Sequence, residues 1–208
     1  MNAHSFGSLP RLLATALLAL LSLGAAAHKP SDAYLSLDAR GQRIEQRLDI
    51  ALRDLDRELD LDADADGRLT WGEVRGRWPE IEALAMAAVT VRAGERACAS
   101  AGAGPAMLDT HTDGSYAVLT RTLACDGEVR SVSVDYRLFA RSDPAHRGIV
   151  RWSGAEGTAP LIAVLGPSSP AQRFGTGPDG DVQAAGFLSF LREGLHHIAI
   201  GLDHILFL

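Results

Sequence analysis

Between Ser31 and Asp54 the chain alternates apolar and polar positions. In "AYLSLDARGQRIEQRLDIAL", Leu35 and Leu37 stand against Tyr34, Ser36 and Asp38, and Ile44, Leu48 and Ile50 share one parity. A period of two sends successive side chains to opposite faces of a strand. The break at Arg40-Gly41 predicts a turn, and so a hairpin. An acidic stretch from Asp60 to Glu73 follows, and then "EIEALAMAAV", where Pro79 suits the first turn of a helix.

Past Val89 the pattern becomes a series of short strands. "AVTVRAG", "YAVLTRTLAC", "VRSVSVDYRLFA", "GIVRW" and "APLIAVL" alternate or run apolar, separated by Gly, Asp and Pro clusters. This predicts a mainly β, sandwich-like domain over residues 28–165 with one or two short helices. "GPSSPAQRFGTGPDG", from Gly166 to Gly180, is rich in Gly, Pro and Ser and reads as a linker over 166–184 without regular structure. Residues 185–208 return to a membrane-like composition.

The N-terminus changes the setting. Arg11 precedes an apolar run from Leu12 to Leu23, and Ala25, Ala26 and Ala27 follow. That order is a secretory signal over residues 1–27, with cleavage expected after Ala27. The run is short for a membrane span. Export to an oxidising compartment, here the periplasmic face, lets Cys98 and Cys125 pair as a disulfide; they are the only cysteines. The net charge of -6 speaks against nucleic acid as a partner. With no nucleophile motif, no Gly-rich phosphate loop and no paired carboxylates, no enzymatic activity is expected.

The acidic stretch carries the strongest chemical signal. "DADADGRLTWGE", residues 62–73, fits the twelve-position EF-hand calcium loop. Asp62, Asp64 and Asp66 occupy positions 1, 3 and 5, and Gly67 occupies position 6, where the backbone turns sharply. Arg68 at position 7 offers its carbonyl, Thr70 at position 9 suits a bridging water, and Glu73 at position 12 offers two oxygens. Calcium is a hard cation that takes six to eight oxygens, and alternate acids in a tight loop converge on one point. Thr70 and Glu73 also have capping-box spacing for a following helix. "RDLDREL" before the loop is short and follows a strand, so an EF-like loop in a β context is expected. A single exported loop suits a weak structural clip, with affinity of about 10⁻⁴ to 10⁻³ M.

Other metal chemistry is conceivable at both ends. His28, as the mature N-terminus, pairs an amine with its own imidazole, a copper-favouring set. His146, beside Arg147, reads as ordering a turn. In "GLHHIAIGLDHILFL", His197 and His204 are seven apart and share one helix face. A straight helix would separate them by about 10.5 Å, so one metal needs a kink near Gly201 or ligands from other helices. An ionised aspartate at a membrane helix centre costs about 2.5–3.5 kcal/mol, which favours a polar pathway over lipid for Asp203. The alternative is an interfacial helix end with its histidines among headgroups. The fourteen residues after Gly194 are fewer than the roughly 20 that cross a bilayer.

"HHIAIGLDHILFL" resembles the first membrane-helix signature of the HupE/UreJ family, with His197-x5-Asp203-His204 matching its His-x5-Asp-His pattern. "AHKPSDAYLSL", "IALRDLD" and "YRLFARSDPAHRG" are similar to the exported region of its longer members. The resemblance implies a polytopic membrane protein associated with uptake of nickel or a related metal, and a transition-metal role for His197, Asp203 and His204. It implies further membrane helices, so residues 185–208 read as the incomplete start of a membrane domain in a fragment or truncated product. The combined expectation is a calcium-binding domain tethered to the inner membrane by its C-terminal segment.

Overall fold

The computed structural model describes residues 31–154 and 159–175. Strands dominate, in two sheets. The opening hairpin is β1 (Asp32–Arg40) and β2 (Arg43–Ala51), and Gly41 at its turn has a φ of 62°. Three helices follow: α1 (Leu52–Leu59), α2 (Trp71–Gly76) and α3 (Trp78–Ala88). Then come β3 (Val89–Ala93), β4 (Arg96–Ala97), β5 (Ala99–Ala103), β6 (Met107–His111) and β7 (Gly114–Ala124). The remaining strands are β8 (Ser131–Tyr136), β9 (Arg147–Ser153), β10 (Leu161–Leu165) and β11 (Ala171–Gly175).

The larger sheet runs β10-β9-β1-β2-β7-β5, with β6 also pairing β7. β5 takes residues 121–124 of β7 and β6 takes 114–118, so the two share that edge end to end. β1 and β9 are parallel and the other pairs antiparallel. The smaller sheet runs β11-β8-β3-β4.

The alternation read from the sequence is the alternation of burial. Ala33, Leu35 and Leu37 of β1 and Ile44, Leu48 and Ile50 of β2 are buried, and Leu35 lies opposite Leu48. They join Val89 and Val91 of β3, Val132 and Val134 of β8 and Phe174 of β11 in one apolar cluster. Leu55 of α1, Val74 of α2 and Ile81 and Ala85 of α3 join it, so both sheets and all three helices share a core. Cys98 and Cys125 are joined as a disulfide, tying the start of β5 to the end of β7.

Two expectations are corrected. The stretch at 166–184 is not simply a linker: Gly166 and Ser169 form a bridge, and Ala171–Gly175 is a strand paired with β8, with Phe174 buried. One buried aromatic and a partner edge outweigh the Gly/Pro-rich composition. The helix before the acidic loop does form, because Leu52 and Leu55 bury one side of it directly after β2. Strands β5 and β6 escaped the sequence reading because they are almost wholly exposed and carry no apolar alternation.

Residues 1–27, His28, and 185–208 with His197, Asp203 and His204 lie outside the described residues. Among the described residues no helix is long and apolar enough to cross a membrane.

Candidate metal centre

The acidic loop is held between two short helices by apolar anchors. Leu61 and Val74 are fully buried and Leu69 packs against the same core, whereas Asp64 and Asp66 at the tip are exposed. α1 ends at Asp60, which takes a left-handed conformation with φ of 50°. Arg77, at the far end of α2, donates to the carbonyls of Leu59 at 2.9 Å and Asp60 at 3.3 Å. A cation at a helix C-terminus satisfies acceptors that have no partner in the helix. It also closes the base of the loop by joining its two ends.

Within the loop the carboxylates are already turned inward. Ligand oxygens of Asp62, Asp64 and Asp66 all lie within 4.8 Å of one another. Asp62 accepts from the backbone N–H of Asp66 at 3.2 Å and of Gly67 at 2.8 Å. Asp66 accepts from Arg68 N–H at 2.8 Å. Gly67 has a φ of 78° and Ala65 a φ of 57°, which together give the tight reversal that aims the side chains at one point. Asp56, one turn before the loop, accepts from the N–H groups of Leu61 and Asp62 at 2.9 and 3.0 Å. The sequence reading did not select Asp56; its place on the last turn of α1 is the signal that would have found it.

Glu73 works at the other end. Thr70 caps α2, and Thr70 and Glu73 form a full capping box. Glu73 Oε2 accepts from the Thr70 N–H and hydroxyl, each at 2.8 Å, while Oε1 reaches across the loop to the Ala63 N–H at 3.0 Å. These donors, Thr70's first, hold the Glu73 carboxyl below its ordinary range. The carboxylate at position 12 therefore stays ionised and faces the loop. Calcium chemistry asks for oxygen donors converging in a turn of this kind, and the Asp62, Asp64 and Asp66 oxygens do so, with Glu73 reaching across the loop; by the twelve-position spacing, Glu73, the Arg68 carbonyl and Thr70 through a water would complete the set.

A second acidic group was not singled out from the sequence. Asp49, Asp109 and His111 approach one another on the outer face of the larger sheet. Arg47 grips Asp49 with two bonds of 2.7 and 2.9 Å and reaches Asp109 at 2.6 Å. His111 Nε2 lies 3.0 Å from Asp49 while its ring stacks on Tyr34. The guanidinium holds the place a cation would take, so the group is self-neutralised.

His146 does more than order a turn. It is fully buried, with Ser31 Oγ 2.6 Å from Nδ1 and the Tyr136 hydroxyl 2.7 Å from Nε2. Ser31 spends its own proton on Asp54 Oδ2 at 2.7 Å. Ser31 then accepts from Nδ1–H, and with the ring kept neutral by its burial Tyr136 donates to Nε2. Burial pushes His146 down to about 4 and raises Asp54. Ser31, Asp54, His146 and Tyr136 thus form a structural tie between the start of the domain, α1 and β8.

Compared with known protein families and with curated proteins, the chain matches no family model and no curated sequence.

Proposed function

We propose that this chain is the calcium-binding, membrane-tethered periplasmic part of a HupE/UreJ-like protein, with a sandwich-like β domain and calcium in a structural role. The observation that carries the calcium reading is the convergence of the Asp62, Asp64 and Asp66 oxygens in a loop closed by Glu73. Bound there, calcium would neutralise mutual repulsion among four carboxylates and join α1 to α2. A structural role is favoured because both loop ends are anchored in the core by Leu61 and Val74, leaving little for a switch to move.

The melting temperature of the full chain should rise with calcium and return with chelator. Asp62→Ala should reduce the shift strongly, since Asp62 both orients the loop and supplies position 1. A full wild-type shift in Asp62→Ala would sink the assignment.

The second reading is that the domain is accessory to a nickel- or cobalt-type metal permease. It is favoured by His197-x5-Asp203-His204, which resembles the HupE/UreJ signature. Nickel accumulation by cells expressing the complete gene, compared with the His197→Ala variant, tests it; equal accumulation argues against a metal role for that residue.

A further inference from the structure

Gln46 and Arg121 lie directly opposite each other on β2 and β7, and Ala103 of β5 pairs with Arg121 on the other side. Opposed residues of an antiparallel pair share a face. Here that face is the inner one, since Gln46 has the parity of buried Ile44 and Leu48. A cation and an amide thus point toward the core where apolar residues would be expected.

Neither has its hydrogen bonds satisfied. Gln46 is only 4 % exposed, yet its Oε1 has no partner among the described residues. Among the described residues Arg121 Nε is buried without a partner, and the one hydrogen bond of its guanidinium is a long one of 3.5 Å to the Val89 carbonyl. Among the described residues no carboxylate pairs with it. Leaving such groups unpaired inside a protein is unfavourable, more so for a charged one. The contact with Val89 places a cation at the end of α3, but it uses one of five donors.

Both side chains line a partly enclosed groove of about 60 Å³ between α3 and the inner face of the larger sheet. The enclosed part holds a few waters, and its open side leaves room for the body of a short organic anion. Leu48, Leu119, Ala85 and the exposed Met86 supply apolar walls. Glu82 is the acid on the rim, and Trp78 Nε1 holds one of its oxygens at 3.0 Å.

We propose that this groove binds a small carboxylate with a short apolar body. The carboxylate accepts from the Arg121 guanidinium and from the Gln46 amide, turned to present its N–H. The hydrocarbon lies against Leu119, Ala85 and Met86. Charge-assisted bonds to a carboxylate in a partly enclosed groove are stronger than neutral ones, so the site discriminates by charge.

The test is an NMR titration of the full chain at neutral pH with butyrate and with its neutral isostere butyramide. Butyrate is expected to give saturable shifts at the amides of Gln46, Ala103 and Arg121, and butyramide to bind about tenfold more weakly. Arg121→Met should remove the butyrate response. Equal responses to the two compounds, no saturable response, or an unchanged response in Arg121→Met would overturn the proposal. Water filling the groove, or Glu82 swinging onto Arg121, gives the no-response result. Should Arg121→Met fail to fold, the comparison of the two compounds on the wild type still decides.

Discussion

Gly67 and Ala65 both take positive φ within three residues, but only one of them is a glycine. A Cβ in the left-handed region costs about 1–2 kcal/mol. Gly67→Ala should therefore destabilise by about that amount and weaken calcium binding, although no neighbouring atom would obstruct the new methyl. Ala65→Gly should be neutral or stabilising by up to about 1 kcal/mol. Urea titration of the pair, with and without calcium, separates backbone strain from ligand loss. His146 sets the second residue-scale expectation. Its folded pKa of about 4 lies below the unfolded value of 6.5, so the unfolded chain binds more protons between them. The stability is present above about pH 6.5 and is lost as pH falls toward 4, on the order of 3 kcal/mol in all. Asp54, raised by burial, opposes this at the acid end. His146→Asn should flatten the fall between pH 6.5 and 5 relative to wild type; an unchanged slope in urea midpoints would assign it to other groups.

Among the elements, β5 depends most on covalent help. It is exposed throughout, with a register shift between Ser100 and Gly102, and Cys98 at its start is bonded to Cys125 at the end of β7. The crosslink spans 27 residues and restrains the unfolded chain. Replacing both cysteines with serine should cost about 2–4 kcal/mol, read as a lowered denaturant midpoint, with protection from hydrogen exchange lost first in β5. The loop helices show the same logic without a covalent bond. α1 and α2 have only 8 and 6 residues, too few to be stable alone, and are held by Leu55, Leu61 and Val74 in the core.

For the whole molecule, calcium bound as proposed would join the two short helices that stand between the opening hairpin and α3. If calcium binds only the folded state, a hundredfold excess over Kd adds about 2.7 kcal/mol of stability. The thermal shift should then grow steadily with calcium and should be cooperative over the whole domain, because one core serves both sheets and the helices. A shift confined to the loop, seen as exchange protection at residues 60–73 alone, would show that the clip is not coupled to the core. The hairpin, the principal strands and the approach of Asp62, Asp64 and Asp66 to one another were legible in the sequence. Period-two burial and the twelve-position spacing are local, and neighbours in sequence decide them. Helix α1 and strand β11 were not legible, because their few apolar residues matter only once a distant surface receives them: Phe174 needs β8, and Leu55 needs the hairpin and α3. The sequence could also not place Ser31 against His146, 115 residues away, or set Arg121 opposite Gln46 on an inner face. Sheet register and chain crossover decide those meetings, since only a folded backbone can bring such distant polar groups out of water and into contact.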